Sequence, residues 1–193
     1  MKKIGLFLLM LSTCFCLVGC GNSGNLSGKH YVEISVKNYG KIKLELDADV
    51  APITVTNFIK LVNNKFYDGL TFHRIMSGFM IQGGDPEGTG FGGSDEKIIG
   101  EFKANGHENN ISHERGVISM ARSSLSMDSA SSQFFIVHQN STFLDGNYAA
   151  FGKVISGMSV VDEIAKIKPA DEESGFVAKA DQPIIESIRV VKK

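Results

Sequence analysis

Cysteine is missing from this chain after residue 20. Its three occurrences, Cys14, Cys16 and Cys20, crowd the N-terminus. The rest of the sequence therefore has no disulfide, cysteine zinc ligand or cysteine nucleophile to build with, and its stability must come from a packed core. Proline occurs only 4 times against 21 glycines, and tryptophan not at all. Many glycines with few prolines suit a β protein with tight turns. Basic charge is not in excess: 20 Lys and Arg face 21 Asp and Glu, a net charge of -1, so no nucleic-acid partner is expected. With 42% hydrophobic and 21% charged residues the chain is not globally disordered. Its 193 residues suffice for one domain with a full core, and no internal repeat divides them.

The apolar run from Ile4 to Val18 is shorter than the roughly 20 residues a spanning helix needs. It follows Lys2 and Lys3 and ends in Leu17-Val18-Gly19-Cys20. A positive start, an apolar stretch, a small residue and then a cysteine resemble a bacterial lipoprotein signal. The resemblance implies that residues 1–19 are a cleaved signal peptide. Cys20 then becomes a lipidated N-terminus, palmitate among its acyl chains, anchored in the cell membrane on its extracytoplasmic side. An ordinary signal peptide with a chance cysteine is the alternative. Residues 20–29, small and polar after the cysteine, read as a flexible tether, which leaves 30–193 as the folded domain.

Within that domain Val32, Ile34 and Val36 alternate with polar residues, as do Ile42, Leu44 and Leu46. This period of two predicts two half-buried strands joined as a hairpin. Pro52 opens a segment in which Val55, Phe58, Ile59 and Val62 share one helical face. Short strand-like runs follow at 71–75, 79–82, 117–121, 133–138 and 149–154, then a helical pattern on Met158, Val161, Ile164 and Ala165, a charged loop at 168–182, and a last strand at 184–191. About eight strands and two helices predict a mainly β fold, a closed eight-stranded antiparallel barrel capped by two α-helices.

Most familiar chemistries find no support. Gly88-Thr89-Gly90-Phe91-Gly92-Gly93 matches a dinucleotide-binding pattern, but no helix opens after it, and no Gly-Lys-Ser/Thr phosphate loop follows. The five histidines share no metal-ligand spacing, so no metal is expected. The serines between Ser119 and Ser132 lack a nucleophile-elbow pattern. Asp47, Asp49, Asp68 and Asp85 sit at turns, where a carboxylate commonly accepts backbone N–H groups. What remains is a cation, Arg74, near two large apolar side chains, Phe79 and Met80, and an amide, Gln82. Each alone reads as core or surface more readily than as site.

Their order is more specific. Phe72-His73-Arg74-Ile75 with Gly78 to Asp85 resembles the signature of the cyclophilin-type peptidyl-prolyl isomerases. Gly88–Gly93, Ile118-Ser119-Met120-Ala121, Ser132-Gln133-Phe134-Phe135-Ile136, Leu144-Asp145-Gly146 and Phe151-Gly152-Lys153-Val154 agree in order and spacing. The resemblance implies an eight-stranded barrel with a helix across each open end. It places Arg74 as the catalytic arginine and Phe79, Met80, Phe135 and Leu144 as walls of a proline pocket. Gln82 and Gln133 are implied to hold the substrate backbone, and Gly90, Ala121, Arg122 and Ser123 to line the adjoining groove. The chain departs from the eukaryotic pattern at Phe143, where many members carry Trp, and at Tyr148, where many carry His. Arg122 replaces a common Asn. Phe143 bears on sensitivity to cyclosporin, and Tyr148 on substrate preference. The implied reaction is rotation about X-Pro bonds in exported proteins during folding. It requires no cofactor, and the partner is proline-containing polypeptide. A monomer suffices. A binding module that keeps the groove without turnover is the second function class.

Overall fold

A computed structural model describes residues 24–193; the expected signal peptide and Cys20 lie outside them. The chain is held from Leu26 onward, whose N–H donates to Thr56 Oγ1, and Gly28 N–H donates to Asp49 Oδ1. Strand β1 (Lys29–Val36) and β2 (Gly40–Asp47) form the expected hairpin, with Ile34 opposite Ile42 and Val32 opposite Leu44. Their alternate residues are buried because only one face of this pair meets the core.

Helix α1 (Pro52–Asn63) has Ala51 at its N-cap and no local side chain to receive its first N–H groups. The buried carboxylate of Glu101 does so from far along the chain, accepting from Ile53 N at 2.9 Å and Thr54 N at 2.7 Å. A negative group here also complements the positive end of the helix dipole. The helix packs against β2 and β8 (Ile185–Val190). Its Phe58 reaches into the aromatic heart of the core, with ring centroids 5.1 Å from Tyr67, 5.6 Å from Phe134 and 5.3 Å from Phe151. Tyr67 is fully buried, which raises its pKa, and its hydroxyl donates to Ser132 O.

The remaining strands are β3 (Thr71–Met76), β4 (Met80–Asp85), β5 (Val117–Met120), β6 (Phe134–Val137) and β7 (Ala150–Ser156). A short helix, α2 (Met158–Ile164), packs on β2. All eight strands join one antiparallel sheet in the order β3-β4-β6-β5-β7-β2-β1-β8.

The expected closed barrel is not what forms. The sheet curls into an open half-barrel whose edge strands, β3 and β8, are not joined by a ladder. They meet only at their ends, where Thr71 bridges Ile184, Phe72 N–H donates to Pro183 O, and Ile185 exchanges backbone hydrogen bonds with Gly69 N–H and Leu70 O just before β3. The reason lies in the loop after α2. Residues 175–177 occupy the edge of β3, through Ile75 N–H to Gly175 O and Val177 N–H to His73 O. The edge is covered by loop backbone rather than by a strand, which protects it without closure.

Beyond the main core, β4, β5, β6 and β7 also bury residues on their outer face. Met80, Val117, Phe135, Val137, Leu144 and Ala150 form a second, smaller cluster there. Strands buried on both faces lose simple alternation: β5 and β6 are buried at every residue.

Glu101→Ala removes the remote cap and leaves two helix N–H groups without a partner. It is expected to lower unfolding stability by about 2 kcal/mol. Urea titration would show this as a lower midpoint with an unchanged m value. A midpoint within experimental error of the parent would mean that α1 does not depend on Glu101.

Candidate active site

The outer-face cluster is the floor of a cleft of about 750 Å³. Strand β3 supplies its cation, and does so through an irregularity. Phe72 pairs with Gly83 while Arg74 pairs with the adjacent Gln82, so His73 is an extra residue in β3. In a regular strand Phe72 and Arg74 would share a face. The extra residue breaks that parity. Phe72 and Ile75 both enter the core, and Arg74 and Met76 turn to the cleft side with Gln82 and Met80.

Arg74 is half-buried and held on several sides. Its Nε donates to Ser174 O at 2.7 Å, and its terminal nitrogens donate to Gln82 Oε1 at 3.2 Å and Met76 Sδ at 3.1 Å. All three acceptors are uncharged, and Arg74 makes no ion pair among the described residues. Burial lowers its pKa from the ordinary value, with Tyr148 opposing, yet a guanidinium here remains a cation. N–H groups on both terminal nitrogens remain unused. Ser174 is brought to Arg74 by a turn at Gly175, whose φ is +75° and where a Cβ would collide with the side chain of Met76.

A polar relay runs from the arginine along the cleft. Gln82 Nε2 donates to Gln133 Oε1 at 2.9 Å, and Gln133 Nε2 donates to the carbonyls of Gly90 at 3.0 Å and Gly92 at 2.7 Å. The orientation of each amide follows from the donor-only guanidinium at the start. The loop that ends the relay is folded around Asp85. This buried carboxylate accepts from the N–H groups of Glu87 and Thr89 at 2.9 Å and of Gly90 at 2.5 Å. Burial alone would raise its pKa; the three backbone donors and nearby His73 prevail, and it is lowered. At Gly92 a Cβ would strike this carboxylate. The glycine-rich loop is thus filled by the chain's own anion, which agrees with reading Asp85 as a turn carboxylate rather than the loop as a phosphate cradle. Among the described residues no three His, Asp or Glu side chains converge to hold a metal ion.

The sequence-derived residues converge. Arg74, Phe79, Met80, Gln82, Gly90, Ala121, Arg122, Phe135, Leu144 and Tyr148 all line the cleft. Met80, Phe135 and Leu144 are nearly fully buried in its floor. Gln133 and Ser123 line an adjoining pocket of about 560 Å³ that shares Gln82, Gly90, Ala121 and Arg122 with the cleft. Phe143 does not line either one. It is 72% exposed at the rim, its ring 5.5 Å from Phe79. Arg122 is more than a backbone contact: its guanidinium stacks over Phe102 and Tyr148, 5.2 and 4.9 Å from the ring centroids, and donates to Asn147 O and Ser123 O. The sequence reading missed His73, Thr89, Phe91, Asp171, Ser174 and Phe176, which also line the cleft. His73 sat within the signature stretch, where two core residues three apart already broke the strand alternation. Nothing in the composition of the 168–182 loop signals its role, because it acts mainly through backbone.

Behind Phe135 lies a second polar group. His113 is buried, its ring stacked on Phe135 at 6.0 Å. Its Nδ1 donates to Asp145 Oδ1 at 2.8 Å, and Ser119 Oγ donates to its Nε2 at 3.0 Å. Ser112 Oγ and the His113 N–H also donate to Asp145. Burial lowers the pKa of His113 from 6.5, with Asp145 opposing. His73 is lowered too, mainly by burial, against the pull of Asp85. Gln133 comes near His73, but its amide nitrogen serves the Gly90 and Gly92 carbonyls, and both His73 ring nitrogens lack a partner.

Two imidazoles are therefore held neutral. As the pH falls below 6.5 the unfolded chain takes up protons that the folded chain resists. Their contribution to stability is complete above 6.5 and is lost below it, toward the lowered folded values. The midpoint of thermal unfolding should be steady from pH 8 to 7 and decline from pH 6.5 to 5; a flat profile over that range would show that neither ring is held neutral by burial.

Residues 31–191 match the family model described as "Cyclophilin type peptidyl-prolyl cis-trans isomerase/CLD". The chain is similar to peptidyl-prolyl cis-trans isomerase B of Bacillus subtilis (strain 168), 50% identical over 118 residues, covering 61% of this chain and 78% of that protein. It is also similar to peptidyl-prolyl cis-trans isomerase A of Dickeya dadantii (strain 3937), 39% identical over 160 residues, covering 80% and 81%. Among solved structures, a Cryptosporidium parvum cyclophilin type peptidyl-prolyl cis-trans isomerase, crystallised in the presence of the dipeptide Ala-Pro, superposes with a TM-score of 0.75 at 32% identity, covering 84% of this chain and 99% of that one. The half-barrel, its arginine-bearing cleft and these relatives agree, and the chain belongs to the cyclophilin-type peptidyl-prolyl cis-trans isomerases.

Proposed function

We propose that Arg74 is the group that accelerates rotation about X-Pro bonds, and that the substrates are exported polypeptides folding outside the cytoplasmic membrane. The observation that carries the first part is a guanidinium without an ion pair, with N–H groups to spare, fixed beside an apolar floor of Met80, Phe135 and Leu144. The X-Pro bond turns slowly because rotation breaks amide resonance, a barrier of roughly 20 kcal/mol. At the twisted geometry the prolyl nitrogen regains a lone pair. A donor aimed at that nitrogen binds the twisted form more strongly than the planar one, which is what lowers a barrier.

The floor takes the pyrrolidine ring, with Phe79 at its side. Gln82, Gln133 and the backbone at Gly90 and Ala121 hold one flank of the peptide while the other turns. A million-fold acceleration corresponds to about 8 kcal/mol. A single fixed donor in a partly dry site contributes about 3 to 4 kcal/mol, so the clamps and floor supply the remainder. No proton changes hands, which agrees with a site whose acid, Asp85, is engaged by backbone donors.

The extracytoplasmic part rests on sequence: the charged start, the Ile4–Val18 run, the small residue before Cys20, and the polar stretch that follows. Two acyl chains on Cys20 would hold the domain at a membrane where one alone binds marginally.

Arg74→Ala is expected to reduce kcat/KM for an Ala-Pro peptide about 100- to 1,000-fold, with the circular-dichroism spectrum and unfolding midpoint retained. Equal rates for parent and variant would remove Arg74 from the mechanism. For the anchor, Cys20→Ala is expected to move the protein from the membrane pellet to the soluble fraction of producing cells; retention in the pellet would end the lipid reading.

A further inference from the structure

The segment after Arg122 turns its polar groups inward and its apolar ones outward. Ser123-Ser124-Leu125-Ser126-Met127 carries no charge, and in it Leu125 is 95% exposed and Met127 43%. The hydroxyls serve the loop itself. Ser129 Oγ donates to Ser126 O at 2.8 Å and accepts from Ser123 N–H at 2.9 Å, while Ser126 Oγ accepts from Asp128 N–H at 3.3 Å. A third apolar side chain stands alongside. Ile99 is 57% exposed, and its neighbour Gly100 lies so close to Met127 O that a Cβ would collide. The Asp128 carboxylate between the two loops is engaged by Gly100 N–H and the Asn105 amide. One exposed leucine is ordinary; three large apolar side chains on two adjoining loops form a patch. Charges of both signs flank Ile99 along the chain, Glu96 and Lys97 before it and Lys103 after, and Glu96 is paired with Lys60. The attraction this patch offers is therefore apolar rather than ionic.

The patch lies at the end of the fold from which the chain leads back to Cys20. Glu101, two residues after Ile99, caps the start of α1 at Ile53 and Thr54, and Leu26 N–H donates to Thr56 in the same part of that helix. Leu26 also packs on the main core. The tether expected over 20–29 is thus shortened to the residues before Leu26. From Cys20 to Leu26 is six residues, a reach of at most about 20 Å even fully extended. Helix α2 sits at the other end of β2: Asp47 leads into α1, whereas Gly40 lies against Val160 of α2. Eight residues of strand cover roughly 26 Å. The leash is shorter than that, so a lipid on Cys20 keeps the α1 end of the domain toward the bilayer and the α2 end away from it.

We propose that Ile99, Leu125 and Met127 dock the domain on the lipid surface, entering the headgroup region beside the acyl chains of Cys20. The inference rests on the lipid reading of Cys20. The leash holds this face within reach of lipid at all times, so the second contact is made at high effective concentration and adds to the first. Three side chains are too small an area for a stable dimer, and a bilayer needs no matching shape. The docking loop continues directly from Ala121 and Arg122, which line the cleft. Docking therefore sets the height of the cleft above the lipid, and polypeptide segments close to the membrane surface are the ones within its reach.

The absence of cysteine after Cys20 makes the test clean, because a cysteine introduced on the surface is then the sole labelling site of the mature chain. Ile99→Cys, Leu125→Cys and, as a control beyond α2, Lys166→Cys each carry an environment-sensitive fluorophore. The mature protein is purified from membranes of producing cells and reconstituted in vesicles of phosphatidylcholine and phosphatidylglycerol, with or without nitroxide on the lipid acyl chains. The labels at 99 and 125 should emit at shorter wavelength and lose fluorescence to the lipid nitroxide, and neither effect should weaken as salt is added. The label at 166 should show neither. If all three labels behave alike while the protein still floats with the vesicles, the docking proposal is overturned and the anchor stands. Labels at 99 and 125 that are shielded from aqueous iodide yet untouched by the nitroxide would mean that a second protein surface covers the patch, which also overturns it. The mass of the mature N-terminal peptide decides the anchor separately: without acyl chains on Cys20, the lipid reading fails and the docking proposal falls with it.

Discussion

One extra residue in a strand governs the whole cleft. His73 shifts the pairing of β3 against β4 so that Phe72 and Ile75 both point into the core while Arg74 points away from it. Because side chains alternate along a strand, a single inserted residue is enough to move a cation from one face of a sheet to the other. The arrangement leaves a buried imidazole with no hydrogen-bond partner for its ring, and a carbonyl at His73 that the ladder to β4 does not serve. The loop after α2 compensates, with Val177 N–H donating to that carbonyl. The same loop brings Ser174 O to the guanidinium. The open edge of the sheet and the setting of Arg74 are therefore one structural fact.

The floor of the cleft shows a second dependence. Phe135 has the barrel core behind its strand neighbours Phe134 and Ile136, and the stacked His113 ring against its own. Tyr148 meets it edge-on at 5.9 Å, and Arg122 lies over Tyr148. A rigid apolar surface is thus backed by a polar group whose hydrogen bonds are complete, from Asp145 through His113 to Ser119. Such networks add rigidity when every member is satisfied.

How much of this the residues announce depends on the kind of interaction. The β1–β2 hairpin was legible because one of its faces is solvated and alternation survives; β5 and β6, buried on both faces, announce only their presence. Helix α1 was legible from Pro52 and the spacing of Val55, Phe58 and Val62, whereas its cap, Glu101, lies far along the chain and no local pattern points to it. Half-barrel against closed barrel was not legible, since the deciding contacts are backbone bonds of residues 175–177. The site was legible mainly through the family order of its motifs. Arg74, Phe135 or Gln133 taken singly would pass for surface, core and buried polar residue. Ser174 and Phe176 escaped because a carbonyl and a bridge leave no mark on side-chain composition. Phe143 was carried over from the family order, and here it stands at the rim.

The relay from Arg74 through Gln82 and Gln133 to the Gly90 and Gly92 carbonyls has a directional character. A guanidinium only donates, so each amide is turned with its oxygen toward the arginine and its nitrogen away. The amide dipoles add instead of cancelling. They steady the cation at one end and carry positive potential to the glycine loop at the other. Neutral dipoles do not titrate, and inside a packed wall they are little screened by dissolved ions. The polarity of this side of the cleft accordingly holds its sign and strength through swings of acidity and salinity that would neutralise or screen an exposed charge.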